Sequence, residues 1–520
     1  MSILTINNLS HVYDSKKIFE DAELSINNGE HAGIVGLNGA GKSTFMNIIA
    51  GRVVQDAGEI KWLNGIRWGY LDQHATMDKS QTVMEYLKTA FDYLYELSDE
   101  LDALYEAMAS QEDMDELDKM VNRSAKMQER LDNAGFYDIE ATIKKVANGL
   151  GVGAIGYDKL VGQLSGGQRA KIMLSKLLLE KLDVMLLDEP TNFLDIEHIE
   201  WLTHYLNDFE GTFLLVSHDT KFLNDTCRLI INVENGELRR YSGNYESFVT
   251  QHEMNSRQHQ EAYDRQQRKI KEMQDYINRN KARAATAGMA NSRQKMLDKM
   301  DIIDKPVQFY EASFSFPYVM LYTNDMLIAN DLCIGYDRQL LPPINIHMKS
   351  DTKLWIRGTN GIGKSTLIKT LLGLVPALGG TSKFHLDSKI LYLEQDLNFK
   401  DTGYTGLSYM NELYPRMNQK ECRSELAKVG IIKEMSTKPI ELLSGGEQVR
   451  IKLCGLMQKE SNILILDEPT NHLDVKAKDA LCDALKAYDG AIILVSHETE
   501  FAEAVCNNYF DIVDSNFRYW

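Results

Sequence analysis

Two stretches of this chain have the residue types and spacing of a phosphate cradle. GLNGAGKST, from Gly36 to Thr44, and GTNGIGKST, from Gly358 to Thr366, both fit the pattern GxxxxGK[ST]. Each follows an apolar strand-like run, HAGIV or TKLWI, and leads into a helix-like segment, which is the context the motif requires. The glycines (Gly36, Gly39, Gly41; Gly358, Gly361, Gly363) let backbone N–H groups turn toward a β-phosphate at a helix N-terminus. Lys42 and Lys364 bring positive charge to the β- and γ-oxygens, Ser43 and Ser365 can ligate Mg²⁺, and Asn38, Thr44, Asn360 and Thr366 complete the loops. Farther along, DVMLLDEP and NILILDEP each place an apolar strand before an acidic pair. Asp188 and Asp467 then stand at a strand end as metal partners, one residue before Glu189 and Glu468. A carboxylate there can orient and deprotonate a water for in-line attack on a γ-phosphate, or, more blandly, cap a helix or bridge a lysine. His218 and His497 close apolar strands (TFLLVSH, AIILVSH), each 29 residues after its glutamate. A lone histidine is usually a packing residue; equal spacing in two copies favours contact with the γ-phosphate.

These motifs reveal a duplication. The phosphate loops are offset by 322 residues, whereas LSGGQ at Leu164 recurs as LSGGE at Leu443, and LLDEPTNFLD at Leu186 as ILDEPTNHLD at Ile465, both offset by 279. Gln73 and Ser165 lie 92 residues apart and their counterparts Gln395 and Ser444 only 49, so the first copy carries a 43-residue insertion. The insertion reads as helical, because Leu94, Leu97, Leu101, Leu104 and Met108 recur by threes and fours, the seam of an antiparallel hairpin. Its residues 91–120 hold eleven acidic residues and one basic one. That face disfavours RNA and suits either a basic protein surface or plain solvation. The expected divisions are a first ATPase domain over 1–250 with a helical arm at about 85–135, a linker over 251–305, and a second domain over 306–520.

A chain of 520 residues suggests about three domains. With 44% hydrophobic and 25% charged residues, disorder and collagen-like structure are excluded. No apolar run approaches the roughly 18 residues needed to cross a bilayer, and the N-terminus lacks a signal-peptide pattern, so a cytoplasmic protein without a membrane segment is expected. The six cysteines (Cys227, Cys333, Cys422, Cys454, Cys482, Cys506) form no CxxC pair and read as reduced structural thiols. The net charge of −18 argues against general nucleic-acid binding, so any RNA contact must be local.

The linker supplies such a locus. From Arg279 to Lys299 it carries six basic residues (Arg279, Lys281, Arg283, Arg293, Lys295, Lys299) against Asp298 alone. Ile270, Met273 and Ile277 recur at helical spacing, which predicts a two-helix hairpin with its tip at RNKARAATAGMANSRQK. A helix from about Gln251 to Asn280 would be on the order of 45 Å long. A solvated spacer is the plainer alternative, but a spacer has no need of a small-residue, basic tip.

The order of phosphate loop, Gln73 or Gln395, LSGG, DEPTN-LD and Ser-His resembles the nucleotide-binding domains of ABC ATPases over nearly all of both copies. The resemblance implies an α/β fold with two ABC-type P-loop domains in tandem, a helical arm in the first and an α-helical hairpin linker between them. It implies ATP and Mg²⁺ as ligands, the metal falling to Ser43, Gln73 and Asp188 in one copy and Ser365, Gln395 and Asp467 in the other. Pairing head to tail within one monomer would join Lys42, Gln73, Glu189 and His218 with Ser444, Gly445 and Gly446. The second site would join Lys364, Gln395, Glu468 and His497 with Ser165, Gly166 and Gly167. Tyr13 and Tyr336 match the residues that stack on adenine, and Asp195 and Asp474 match the D-loop aspartates. One departure is Glu447, where the first copy has Gln168; a carboxylate near a γ-phosphate is mildly unfavourable. Since neither Glu189 nor Glu468 is missing, both sites are expected to hydrolyse ATP.

The arm, the charged linker, YSGNYESF from Tyr241 to Phe248 and ARAATAGMANSRQKMLDKM within the linker further resemble the ABC-F family. That resemblance implies a factor that binds the ribosome when ATP closes its domains and leaves after hydrolysis. The linker would then reach the tRNA exit region and lie against the P-site tRNA and large-subunit rRNA near the peptidyl-transferase centre. The arm would reach toward the L1 stalk. The modest linker and the lack of a C-terminal tail favour a general translation factor over an antibiotic-resistance protein. The competing classes are the ATPase subunit of an ABC transporter with a separate membrane partner, and a free-standing regulatory ATPase.

Overall fold

The structure, a computed structural model, describes all of the chain except residues 14–15, 38, 72–76, 112, 281–286, 302, 304–311, 359–360, 396–398, 400–402, 513–515 and 520. Each half is built on a six-stranded sheet. In the first, the strands run Trp68–Tyr70, Val184–Asp188, Thr212–Val216, His31–Val35, Leu229–Glu234 and Glu237–Ser242 across the sheet, parallel except for the last pair. The second half repeats this order with Ile390–Leu393, Ile463–Asp467, Ala491–Val495, Lys353–Arg357, Asn508–Asp511 and Asn516–Tyr519. Strands such as VMLLD, TFLLV, ILILD and AIILV are apolar almost throughout because both faces of a parallel sheet are covered. The strand that feeds each phosphate loop pairs with the strand that ends in Ser-His, not with the strand that ends in the acidic pair.

A three-stranded antiparallel sheet lies over each six-stranded one: Ser2–Tyr13 between Lys16–Asn27 and Ala57–Trp62 in the first half, Leu327–Cys333 between Ile344–Met348 and Gly379–Phe384 in the second. The helix Lys42–Ile49 is clamped between the two layers by Phe45 and Met46, which pack among Leu4, Ile6, Leu186 and Leu214. Phe45 meets Phe19 edge-on at 6.0 Å between ring centroids. The helix that follows the phosphate loop is thereby fixed to both sheets.

The arm is a pair of helices, Asp92–Ala109 and Met114–Ala134, that pack along each other. Leu94 and Leu101 are buried on the seam with Met127 and Leu131, Leu97 and Leu104 are half-buried, and the acidic residues face outward. The linker begins earlier than its composition suggests. One helix runs unbroken over Tyr245–Asn280, 36 residues or about 54 Å, so it starts inside YSGNYESF, where Tyr245 and Phe248 pack against Tyr241 and the first-half core. A shorter helix, Ala287–Asp298, folds back along it. Ile277 is buried and Ile270 and Met273 are half-buried on the long helix, and Gln294 and Leu297 are half-buried on the returning one. All six cysteines are free, and burial pushes the thiols of Cys227, Cys454 and Cys506 up to about 12. Among the described residues no helix is long and apolar enough to cross a membrane.

Emptying the contact between helix and sheets should be costly. Phe45→Ala is expected to lose about 3–5 kcal/mol, read as a lower urea midpoint for the first half; an unchanged midpoint would mean that this ring does not hold the layers together.

Candidate functional site

The carboxyl ends of the parallel strands gather the chemistry. In the first half Gly36 follows Val35, Asp188 ends its own strand opposite Val216, and Ser217 and His218 follow Val216, so all of them open on one sheet edge. The phosphate loop turns into its helix at Gly41 with φ 105°, and in the second half at Gly363 with φ 119°, left-handed values that a side chain would strain. At Gly41 a Cβ would also run into Ile18. Lys42 Nζ donates to the Gly36 and Leu37 carbonyls at 2.8 and 3.3 Å, and Lys364 Nζ to that of Gly358 at 2.7 Å. Each lysine is thus folded back over its own loop, and burial pushes its pKa down while nearby acids oppose the shift. Ser43 hydrogen-bonds the Asp188 carboxylate, which Tyr70 Oη also reaches at 3.4 Å. In the second half the Ser365 hydroxyl reaches Gln395 Oε1 at 3.4 Å. A hydroxyl beside a carboxylate or an amide oxygen, with phosphate oxygens to complete the shell, is a fitting donor set for Mg²⁺.

Glu189 and Glu468 stand one residue beyond these strands with φ 49° and 53°. A non-glycine residue is held in this region at a cost of order 1–3 kcal/mol, a strain that collects at functional positions. The same contacts fix both. The His218 N–H donates to Glu189 Oε2 at 3.3 Å and His218 Nε2 lies 3.5 Å from Oε1. In the second half His497 N donates to Glu468 Oε2 at 3.3 Å, and Nε2 lies 3.0 Å from Oε1 and 3.2 Å from Lys364 Nζ. Burial, reinforced by Asp188, pushes Glu189 up to about 8; burial pushes Glu468 up to about 7. Burial likewise pushes His218 down to about 3 and His497 to about 4, so both imidazoles are neutral at physiological pH. A neutral Nε2 either donates or accepts, so His497 can serve Glu468 or Lys364 but not both at once.

Each edge also faces the other half. The Asp474 charge acts on Lys42 and the Asp195 charge on Lys364, and both aspartates are buried. Asp195 is held by Lys171 at 3.1 Å and His198 at 3.2 Å, whereas Asp474 caps its own helix by accepting from Ala477 N at 2.9 Å. Lys478 of the second half donates to the His218 carbonyl at 3.1 Å. Ser165 and Ser444 are N-caps of the helices Gly166–Leu179 and Gly445–Leu456. Gly445 packs so tightly on His472, two residues before Asp474, that a Cβ there would come within 2.9 Å of its ring. Gly167 lies more loosely beside Phe193, two residues before Asp195, where a Cβ would stand 3.5 Å from the ring. Gly446 is buried in the first turn of its helix. The signature helix and the D-loop of one half therefore form a single packed unit facing the other half's phosphate loop. The Glu447 carboxylate is turned back, accepting from Ser444 N at 2.9 Å, where Gln168 accepts from Ser165 N at 3.1 Å.

Tyr13 and Tyr336 are 66% and 61% exposed, open faces at the margins of their antiparallel layers. Gly39 and Gly361 are exposed, Thr44, Gly358 and Thr366 half-buried. Arg279, Arg293 and Lys295 are exposed on the hairpin, with the Arg293 guanidinium 3.6 Å from the centroid of the Tyr276 ring. Asn38, Gln73, Lys281, Arg283 and Asn360 lie outside the described residues. Sequence reasoning passed over Tyr70, Lys171, His472 and Lys478. Aligning the two copies would have flagged the last two, which replace Phe193 and Ile199 at the common offset of 279.

Two halves, each with a phosphate cradle and an acid pair at one sheet edge and each bringing an aspartate near the other's phosphate-loop lysine, define a tandem P-loop nucleotide-binding ATPase. A family described as ABC transporter matches residues 19–192 and 341–471, and a second of the same description matches residues 231–316. The chain is 43% identical over 501 residues to the "Uncharacterized ABC transporter ATP-binding protein YfmM" of Bacillus subtilis, covering 96% of each chain. It is 32% identical to "ABC transporter F family member 5" of Arabidopsis thaliana, over 98% of this chain and 75% of that one. Among solved structures it shares its fold, at TM-score 0.58 and 17% identity over 97% of this chain and 87% of the other, with an archaeal protein in the "complex of archaeal ribosomal stalk protein aP1 and archaeal ribosome recycling factor aABCE1". The chain belongs to the ABC transporter family and, within it, to the F type; it binds ATP and hydrolyses it.

A carboxylate can act as a base only when ionised, and a raised pKa delays ionisation as pH increases. Because kcat/KM reports groups of the free enzyme, Glu468→Gln, which leaves the first site turning over, should show an ascending kcat/KM limb centred near pH 8. Glu189→Gln should show one near pH 7. Coincident midpoints would remove unequal burial as the control.

Proposed function

We propose that this protein is an ATP-gated ribosome-binding factor whose two sites are each completed by both halves of one monomer. In the first, Lys42 and the loop N–H groups hold the phosphates, Ser43, Gln73 and Asp188 hold Mg²⁺, and Tyr13 stacks on adenine. Ser444, Gly445 and Gly446 close over the γ-phosphate from the opposite side, with Asp474 at the seam. The second site uses Lys364, Ser365, Gln395, Asp467 and Tyr336 with Ser165, Gly166, Gly167 and Asp195. Bound Mg²⁺ would neutralise charge on the β- and γ-oxygens. Glu189 and Glu468 orient and deprotonate the attacking water, and His218 and His497 contact the γ-phosphate while steadying those carboxylates. Because each site needs both halves, ATP holds them together, and hydrolysis sets how long they stay closed.

The observation that carries the ribosomal reading is the hairpin. A helix of about 54 Å leaves the first-half core and ends among exposed basic residues in a chain of net charge −18. Such a rod suits the backbone of P-site tRNA and large-subunit rRNA near the peptidyl-transferase centre, read by shape and charge. The acidic arm suits a basic ribosomal protein surface, with the L1 stalk the proposed neighbour. The modest length of the linker favours a general translation factor over an antibiotic-protection protein. The protein would work in the cytoplasm.

Glu189→Gln with Glu468→Gln should trap the protein on ribosomes in ATP, seen by co-sedimentation, while wild type is released; absence of both from the ribosomal pellet, with ATP still bound, would overturn the reading. Changing Arg279, Lys281, Arg283, Arg293 and Lys295 together to Glu should weaken ribosome association at least about tenfold, since each phosphate contact adds to affinity, and leave ribosome-free ATPase activity intact. Undiminished association would remove the hairpin tip from the contact.

A further inference from the structure

The two histidine loops are bridged by a single lysine side chain, Lys478. Glu498 directly follows His497, and its Oε1 lies 2.7 Å from Lys478 Nζ. The same ammonium donates to the His218 carbonyl of the other half at 3.1 Å. The Lys478 side chain is 10% exposed, so this bridge is largely shielded from water. Among the described residues no reciprocal hydrogen bond reaches the His497 carbonyl; Lys171 of the first half, which donates to Asp195, acts on His497 only through its charge. At the common offset of 279 the first half has Ile199 in place of Lys478 and Asp219 in place of Glu498. Ile199 packs on the first-half core, and the Asp219 carboxylate accepts from Phe222 N at 2.9 Å to cap its own helix. The contact is therefore built on one side only.

Its consequence falls on His218. Its N–H is committed to Glu189 Oε2 and its C=O to Lys478, so the peptide units on both sides of the residue are held. His497 has its N–H similarly committed to Glu468, but among the described residues no side chain of the first half hydrogen-bonds its carbonyl, and Lys171 reaches it as a charge only. Residues held at both ends keep the geometry that in-line attack needs, and a displacement of about 1 Å can cost up to a hundredfold in rate.

We propose that Lys478 is a positioning residue for the first ATP site alone: supplied by the second half and anchored on Glu498, it fixes the His218 loop and so sets Glu189 for attack once the halves close. This rests on the composite-site reading above. That reading is tested separately: in the Glu468→Gln background Ser444→Arg, at the opposite half's helix N-cap, should abolish first-site turnover if the site is composite and leave it unchanged if each half hydrolyses ATP alone, whatever Lys478 does.

The test places Lys478→Ile, the residue found at the reciprocal position, in two backgrounds and measures ribosome-free ATP turnover. With Glu468→Gln, where the first site turns over, kcat should fall roughly tenfold or more while KM for ATP stays within about twofold, as for a contact that orients without binding substrate. With Glu189→Gln, where the second site turns over, Lys478→Ile should change neither constant by more than about twofold. Lys478→Arg keeps the charge and the donors and should recover most of the first-site kcat. Equal losses in both backgrounds would make Lys478 a general interface residue and overturn the proposal. So would no loss in either background, or a loss confined to the second site. A rise in KM with kcat preserved would assign Lys478 to nucleotide binding instead and overturn it equally.

Discussion

Parallel strand pairing is the constraint on which this molecule depends. In each half the strand before the phosphate loop, the strand before the acidic pair and the strand before Ser-His run the same way, so their ends open on one edge. Residues far apart in sequence, such as Lys42 and Glu189 at a separation of 147, are brought together by that direction alone. Connections between parallel strands must cross the sheet, and the helix Lys42–Ile49, held between two sheets by Phe45 and Met46, is one such crossing. Its N-terminus is also the phosphate cradle, so core packing and ligand geometry are the same contact.

Burial supplies the electrostatics. Glu189 and Glu468 sit at strand ends in left-handed conformations with a backbone N–H and a neutral imidazole for company, and the apolar sheet behind them raises their pKa. A carboxyl group that resists ionisation at neutral pH is a conditional base, whose charge state answers to whatever cations approach. Lys42 and Lys364 lie on one side, and the opposite half brings Asp474 and Lys478 to one edge and Asp195 and Lys171 to the other. The electrostatics of each edge thus depend on charges of the other half.

The duplication is close in topology and unequal in detail. Both halves have the same strand order, the same strained glutamate and the same N-capped signature helix. They differ where one half touches the other: Asp195 is tied down by Lys171 and His198, while Asp474 caps its own helix, and among the described residues only the second half hydrogen-bonds a lysine to the other half's histidine carbonyl. The inserted elements divide their labour by charge, the arm acidic and the linker tip basic, and each packs its apolar seam internally so that its charged face is left for solvent or a partner.

The amino-acid sequence by itself determined the duplication, the α/β class, the phosphate loops, the acidic pairs, the histidines and the existence of both helical insertions. These depend on short motifs and on periodicity, which are local. It also located Glu447 as a departure, but not that its carboxylate turns back onto Ser444 N, because that choice belongs to the capping geometry of a formed helix. The linker helix starts at Tyr245, earlier than its polar composition suggested, because Tyr245 and Phe248 are ring-packing residues of the first half as well as helix residues. Tertiary structure alone decided which strands are neighbours, how deeply the glutamates are buried and which half lends a cation to the other. Lys478 shows why: its partners lie 20 and 260 residues away, and no local pattern ties a lysine in one D-loop helix to a carbonyl at the far end of the other half.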